Sequence, residues 1–224
     1  NSCRFNKADN AYHSKELDAP TDADKFTISF WMKLGLVSST VRTIFNMNGA
    51  GSPAVTTFMQ LTAALMVFGR YYNGAYQGNL TTTQVFRDPS AWYHFVCVYD
   101  SGNATAGNRM RLYVNGTEVT AFGTDTNPTQ DLDSTNVDGA TIFVGAYGDD
   151  DEEFDGYLAE FCLIDGLALT PSSFGEFNED SPNIWQPIDV SGLTFGNNGF
   201  YLDFEDSANL GNDKNGGTDL GETN

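Results

Sequence analysis

Residues 142–177 read IFVGAYGDDDEEFDGYLAEFCLIDGLALTPSSFGEF, and this stretch decides the fold. It parses as a strand, an acidic loop, a second strand, a glycine turn and a short capped helix. The second strand, YLAEFCLI, carries one carboxylate, Glu160, inside an apolar run. Side chains alternate along a strand, so Leu158, Glu160, Cys162 and Ile164 are expected on one face. A carboxylate on such a face needs an arginine, hydrogen-bond donors or a metal, because burying it unpaired is costly. Thr170 reads as the helix N-cap and Pro171 fits the first helical turn.

Working outward, the same strand grammar recurs. Residues 26–33, FTISFWMK, alternate cleanly: Phe26, Ile28, Phe30 and Met32 face one way, and Thr27, Ser29, Trp31 and Lys33 the other. That is a half-buried antiparallel strand. Residues 92–100, WYHFVCVYD, are apolar on both faces and read as a central strand. Residues 110–114, followed by Asn115-Gly116, signal a hairpin, because Asn-Gly suits a type I′ turn. Residues 57–68 are apolar enough for a helix, but the flanking Gly69 and Gly74 favour two strands joined by a turn. Short strands at regular spacing with turn residues between them predict an all-β fold. The expected architecture is a two-sheet antiparallel sandwich with jelly-roll connections, one short helix and an irregular C-terminal tail.

The chain of 224 residues is 13% aromatic, enough for one sizeable core. The predicted organisation is a sandwich over residues 1–177 and an extension packing on it over 178–205. Residues 206–224 are rich in Gly, Asn and Asp and form a tail or a linker to a further domain. With 11 Lys and Arg against 30 Asp and Glu, the net charge is −19. Nucleic acid is excluded as a partner, since phosphate contacts need basic clusters. No run approaches the length of a membrane span, so membrane insertion is not expected. The three cysteines, Cys3, Cys97 and Cys162, form no CxxC pair. A Cys3–Cys162 bridge is open if the first and last sandwich strands are neighbours.

Taken in order, RFNKADNAY, FTISFWMK, WYHFVCVYD, LYVNGTEV, IFVGAY and FDGYLAEFCLIDGLALTPSSFGEF resemble laminin-G-like, concanavalin-A-like jelly-roll domains. The versions in virion proteins of bacteriophages, especially marine ones, are similar even in the continuation NGFYLDFEDSANLGND. The resemblance implies a virion-surface module: a tail fibre, head fibre or capsid decoration, a homo-oligomer in an assembly. Its partners would be host surface glycan or other virion proteins. The alternative is a secreted, extracellular, calcium-dependent lectin-like or adhesion domain; a glycoside hydrolase comes third. The resemblance also implies Ca²⁺ at the rim, carried onto Asp9, Asn10 and Asp155, with Glu160 as an interior partner. The loop GDDDEEFD holds six acidic side chains without EF-hand spacing.

No catalytic set stands out, and the chain is expected not to be an enzyme. Retaining glycosidases need two carboxylates about 5–5.5 Å apart. Glu153 and Asp155 share a strand face, but the third carboxylate of the glucanase motif is missing. The only histidines are His13 and His94, and no GxSxG elbow occurs. His94 reads as a packed strand residue. A glycan platform is better supported. The segment GRYYNGAYQGN offers Arg70, Tyr71, Tyr72, Asn73, Tyr76 and Gln77 in a Gly-spaced loop or hairpin, and Trp31 lies on the polar face of its strand. The competing reading packs these aromatics over a sheet edge or against a neighbouring subunit. Sequons occur at Asn79, Asn103 and Asn115.

Overall fold

The computed structural model describes residues 1–35, 40–49, 55–148 and 152–223. In chain order the strands are β1 (Cys3–Phe5), β2 (Tyr12–Glu16), β3 (Lys25–Leu34), β4 (Arg42–Asn48), β5 (Val55–Thr62), β6 (Leu65–Tyr72), β7 (Ala75–Val85), β8 (Trp92–Asp100), β9 (Met110–Val114), β10 (Thr117–Glu118), β11 (Phe122–Thr126), β12 (Thr141–Val144), β13 (Gly156–Asp165), β14 (Gly175–Phe177), β15 (Trp185–Pro187), β16 (Phe200–Leu202) and β17 (Gly221–Thr223). They build a seven-stranded sheet, ordered β1-β13-β3-β8-β9-β10 with β16 added to β13, and an eight-stranded sheet, ordered β11-β7-β6-β5-β4-β12-β2-β17. Pairing within both is antiparallel, and β14 with β15 makes a separate small hairpin.

The alternation of β3 sets the core. Phe26, Ile28, Phe30 and Met32 are fully buried between the sheets, with Leu112 and Val114 of β9 beside them. Phe30 stacks on Phe95 at 5.6 Å and Phe161 at 5.7 Å, and meets Phe45 of the opposite sheet edge-on at 6.5 Å. Residues 57–68 do form two strands. Ala63 and Ala64 both take positive φ, +50° and +67°, as a type I′ turn requires. Asn115 and Gly116 repeat that conformation between β9 and β10. A side chain at Gly116 would also strike the Trp185 ring, its Cβ falling 2.5 Å from it.

In β13 the expected face is corrected. The register against β3 slips between Ala159 and Cys162, and Glu160 sits at φ +49°. This bulge inserts one residue and inverts the alternation beyond it. Leu158, Phe161 and Leu163 therefore point into the core, while Cys162 and Ile164 point outward. Glu160 is a half-buried outer residue whose carboxylate accepts a hydrogen bond from the Tyr201 hydroxyl.

The outer face of the seven-stranded sheet is covered rather than solvated. Phe174, Val190 and Phe195 pack over Val96, Val98, Cys162 and Ile164. Thr27 and Ser29, expected on a polar face, are buried beneath this cover. The Thr27 hydroxyl donates to Leu167 O at 2.8 Å and accepts from Leu169 N at 2.9 Å, so its burial leaves nothing unpaired. The expected capped helix is a single 3-10 turn, Pro171–Ser173, and the Thr170 side chain reaches Ser172 rather than a backbone amide. Residues 206–223 wrap the sandwich: Leu220 is buried, Leu210 packs on the core and β17 pairs with β2.

The three cysteines are free and buried. Cys3 pairs in register with Leu158, four residues short of Cys162, which is about 13 Å along a strand. Cys3 also faces the core and Cys162 the outer cover, so the two cannot bridge.

Candidate functional site

On the outer face of the eight-stranded sheet lies a basin of about 390 Å³, lined by Phe58, Gln60, Tyr71, Tyr76, Tyr147 and Glu152. Its aromatic wall follows from one turn. Asn73 and Gly74 take φ +46° and +88°, the type I′ geometry that joins β6 to β7. That turn sets Tyr71 opposite Tyr76, with the rings edge-to-face at 5.2 Å. Phe58 of β5 lies across from Gly69 and its ring fills the space above that glycine, where a Cβ would come within 2.7 Å. The Phe58 ring then meets Tyr76 at 6.3 Å and Tyr147 at 6.2 Å. Tyr76 is 49% exposed, so its ring is available at the mouth.

The polar wall is pinned to β4. Thr43 N donates to Glu152 O at 2.7 Å, and its hydroxyl reaches Glu152 Oε2 at 3.4 Å. Gln60 Nε2 donates to the same oxygen at 2.5 Å and to Thr43 Oγ1 at 3.1 Å. Burial raises the pKa of Tyr76, and the neighbouring Tyr71 and Glu152 push it further. Burial likewise dominates at Tyr147, opposed by its bond to the Thr56 hydroxyl. Both phenols stay protonated at neutral pH and can donate or accept. The basin thus pairs aromatic faces with an amide, a carboxylate and phenol hydroxyls.

Of the residues expected to hold glycan, the structure brings Tyr71 and Tyr76 together and separates the rest. Tyr72 is exposed at the hairpin tip and points to the other side by strand alternation. Asn73 is consumed by the turn. Gln77 accepts from the buried Arg70 guanidinium, which also donates to Asp133 O at 2.9 Å. Trp31 lies on the opposite sheet, in a groove of about 440 Å³ with Trp92, Trp185, Gln186 and Glu160. Behind it His94 forms a chain: Trp185 Nε1 donates to Nδ1 at 2.9 Å, so Nε2 carries the proton and donates to Ser29 Oγ at 2.9 Å. Burial lowers the His94 pKa to about 3, so it is a neutral packing residue, as its strand position suggested. Phe58, Gln60, Tyr147 and Glu152 were missed by sequence reasoning. The outward parity of Thr56, Phe58 and Gln60 was the available signal.

Among the described residues, three of the four residues assigned to Ca²⁺ have protein partners: Asp155 with Arg4, Asp9 with Asn6 and Glu160 with Tyr201. Asp155 is buried and paired with Arg4, whose Nη2 is 2.5 Å from Oδ1 and whose Nη1 donates to Gly156 O at 3.1 Å. Glu153 is paired with Lys7 Nζ at 3.2 Å. Asp9 accepts from Asn6 Nδ2 at 2.6 Å, and Asn10 closes the adjacent 3-10 turn at φ +52°. Glu160 is five residues from Asp155, about 16 Å along the strand, too far to share an ion. Among the described residues no group of three or more His, Cys, Asp or Glu is placed to hold a metal. Asp149, Asp150 and Asp151 of the acidic run lie outside the described residues. Arg4 and Lys7 thus supply positive charge to Asp155 and Glu153.

A model of the concanavalin A-like lectin/glucanases superfamily, of the laminin G type, matches residues 6–173. The chain belongs to this superfamily. No curated protein matches it. Among solved structures, the heptameric SAP-like pentraxin from Limulus polyphemus is similar, with a TM-score of 0.55 and 18% identity over 75% of this chain and 77% of that one. Domains LG4-5 of the mouse laminin alpha1 chain give a TM-score of 0.54 and 10% identity, over 75% of this chain and 45% of that fragment. At these identities the likeness shows the lectin-like fold alone. The matched span ends at the 3-10 turn, so the cover, with Val190 and Phe195, lies beyond it.

Proposed function

We propose that this domain is a non-catalytic glycan-binding module, and that the Tyr71–Tyr76 basin is its binding face. The observation that carries the reading is the convergence of Phe58, Tyr71, Tyr76 and Tyr147 with Gln60 and Glu152 in one open concavity. A sugar ring has an apolar face that lies on an aromatic ring and hydroxyls that need paired donors and acceptors. The basin supplies both. Hydrolysis is disfavoured by the carboxylate inventory. Among the described residues the basin is lined by one carboxylate, where the two-carboxylate mechanism needs a pair. Glu153 and Asp155, the candidate pair, are each held by a cation. The resemblance of the ordered motifs to phage virion domains favours display on a virion surface, in a homo-oligomeric assembly contacting host glycan or neighbouring virion proteins. A secreted lectin-like or adhesion role uses the same basin.

An oligosaccharide array probed with the intact domain and with Tyr76→Ala tests the reading. The expected result is carbohydrate binding that Tyr76→Ala removes while the melting temperature stays within about 2 °C, because Tyr76 is half exposed. Binding that survives both Tyr71→Ala and Tyr76→Ala would move the site elsewhere.

A further inference from the structure

We infer that the basin is selective by charge: it takes neutral or amine-bearing oligosaccharides and rejects sialylated, uronic or sulfated ones, with Glu152 setting the difference. The inference rests on the glycan-binding reading and adds a ligand class to it.

None of the six described lining residues is cationic: they are one phenylalanine, three tyrosines, one glutamine and one glutamate. An anionic sugar entering the basin meets no countercharge from that wall. It meets instead a carboxylate held in place by Gln60 Nε2 at 2.5 Å, by the Thr43 hydroxyl at 3.4 Å and, through its own backbone carbonyl, by Thr43 N at 2.7 Å. Glu152 is therefore fixed in the wall and does not swing out to yield to an anion. Its field is already felt across the basin, where it helps keep the Tyr76 and Tyr147 phenols protonated. The chain's net charge of −19 adds a long-range term of the same sign, which salt screens. A ligand ammonium gains from both terms, as a sugar bearing a free 2-amino group would.

Like and opposite charges a few ångströms from a partly exposed carboxylate differ by at least a factor of about ten in affinity. Three oligosaccharides of matched length test this by calorimetric titration: a neutral one, a glucosamine oligomer with free amines, and a sialylated or sulfated one. Each is titrated at low and high salt into the intact domain, Glu152→Gln and Tyr76→Ala. Gln is close to isosteric and keeps an acceptor for Gln60 and Thr43, and its melting curve reports whether the wall is intact. The expected order is amine-bearing, then neutral, then anionic. The gap between the extremes should shrink about tenfold in Glu152→Gln and shrink in the wild type as salt rises. Anionic sugars bound as tightly as neutral ones, with that binding lost in Tyr76→Ala, would overturn the charge selection and leave the glycan reading standing. A gap unchanged in Glu152→Gln would overturn the role of that residue. Failure of every sugar to bind would overturn the glycan reading and this inference with it.

Discussion

Acidification from pH 7.5 to pH 5 should destabilise this protein through its two histidines. His13 and His94 are 4% and 1% exposed. Burial lowers His94 to about 3. It lowers His13 to about 4, against an opposing pull from Glu222, its cross-strand partner. Neither environment welcomes a second proton. His94 Nδ1 is an acceptor for Trp185, and the His13 ring sits against Phe5 at 5.5 Å and Phe204 at 6.1 Å. Both folded pKa values lie below the unfolded value, so the unfolded chain binds more protons and stability falls as pH falls through about 6.5. The loss continues until the folded groups titrate near pH 4 and 3. By pH 5 each histidine forfeits about 2 kcal/mol, for a combined loss of about 4 kcal/mol. That is a large share of the roughly 5–15 kcal/mol available to a typical domain. Urea unfolding followed by tryptophan fluorescence at pH 7.5, 6.5, 5.8 and 5 measures it. The double variant His13→Gln/His94→Gln should be less stable at pH 7.5 yet show little further loss down to pH 5, where ordinary carboxylates remain ionised. A wild-type stability that is flat across this range would refute the neutral buried histidines and the Trp185–His94–Ser29 chain.

Other outcomes follow from the packing and the rim. Phe30→Ala empties the centre of a stack with Phe95 and Phe161 and should cost about 3–5 kcal/mol in urea unfolding, with the slope unchanged. If Arg4 and Lys7 suffice to neutralise Asp155 and Glu153, added Ca²⁺ should leave the melting temperature where it was; a calcium-dependent rise lost in Asp155→Asn would instead place an ion at the rim. Arg4→Ala strands the buried Asp155 carboxylate and should lower stability more than Asp155→Asn does, as double-mutant unfolding would show. Incubation with polysaccharide should release no reducing ends, and cleavage abolished by Glu153→Gln would overturn the non-catalytic reading.

The fold was legible wherever alternation ran unbroken. Phe26 to Met32 and Leu112 to Val114 face inward as the pattern requires, and the Asn115-Gly116 and Asn73-Gly74 pairs mark their hairpins. Legibility failed at Glu160. A bulge leaves the apolar string YLAEFCLI continuous, so nothing in the residues shows that parity inverts after Ala159. It failed again at Thr27 and Ser29, whose burial is imposed by a cover from more than a hundred residues later in the chain. The site divides the same way. Tyr71 and Tyr76 are brought together by a local turn and could be read from it. Phe58, Gln60, Tyr147 and Glu152 arrive from β5 and from the connection between β12 and β13, an encounter that only the sheet order creates. Asn115 shows the opposite hazard. Its sequon resembles a glycosylation site, yet its side chain accepts from His94 N at 2.8 Å.

The central claim is that the Tyr71–Tyr76 basin holds a sugar. The most direct measurement is a titration of the domain, with its tyrosine rings isotopically labelled, by the oligosaccharides of the array, followed by nuclear magnetic resonance. A sugar in the basin should shift Tyr71, Tyr76 and Tyr147 and leave Tyr12, Tyr99 and Tyr113 unmoved. Sugar-induced shifts confined to other tyrosines, or no shift with any sugar at millimolar concentration, would contradict it.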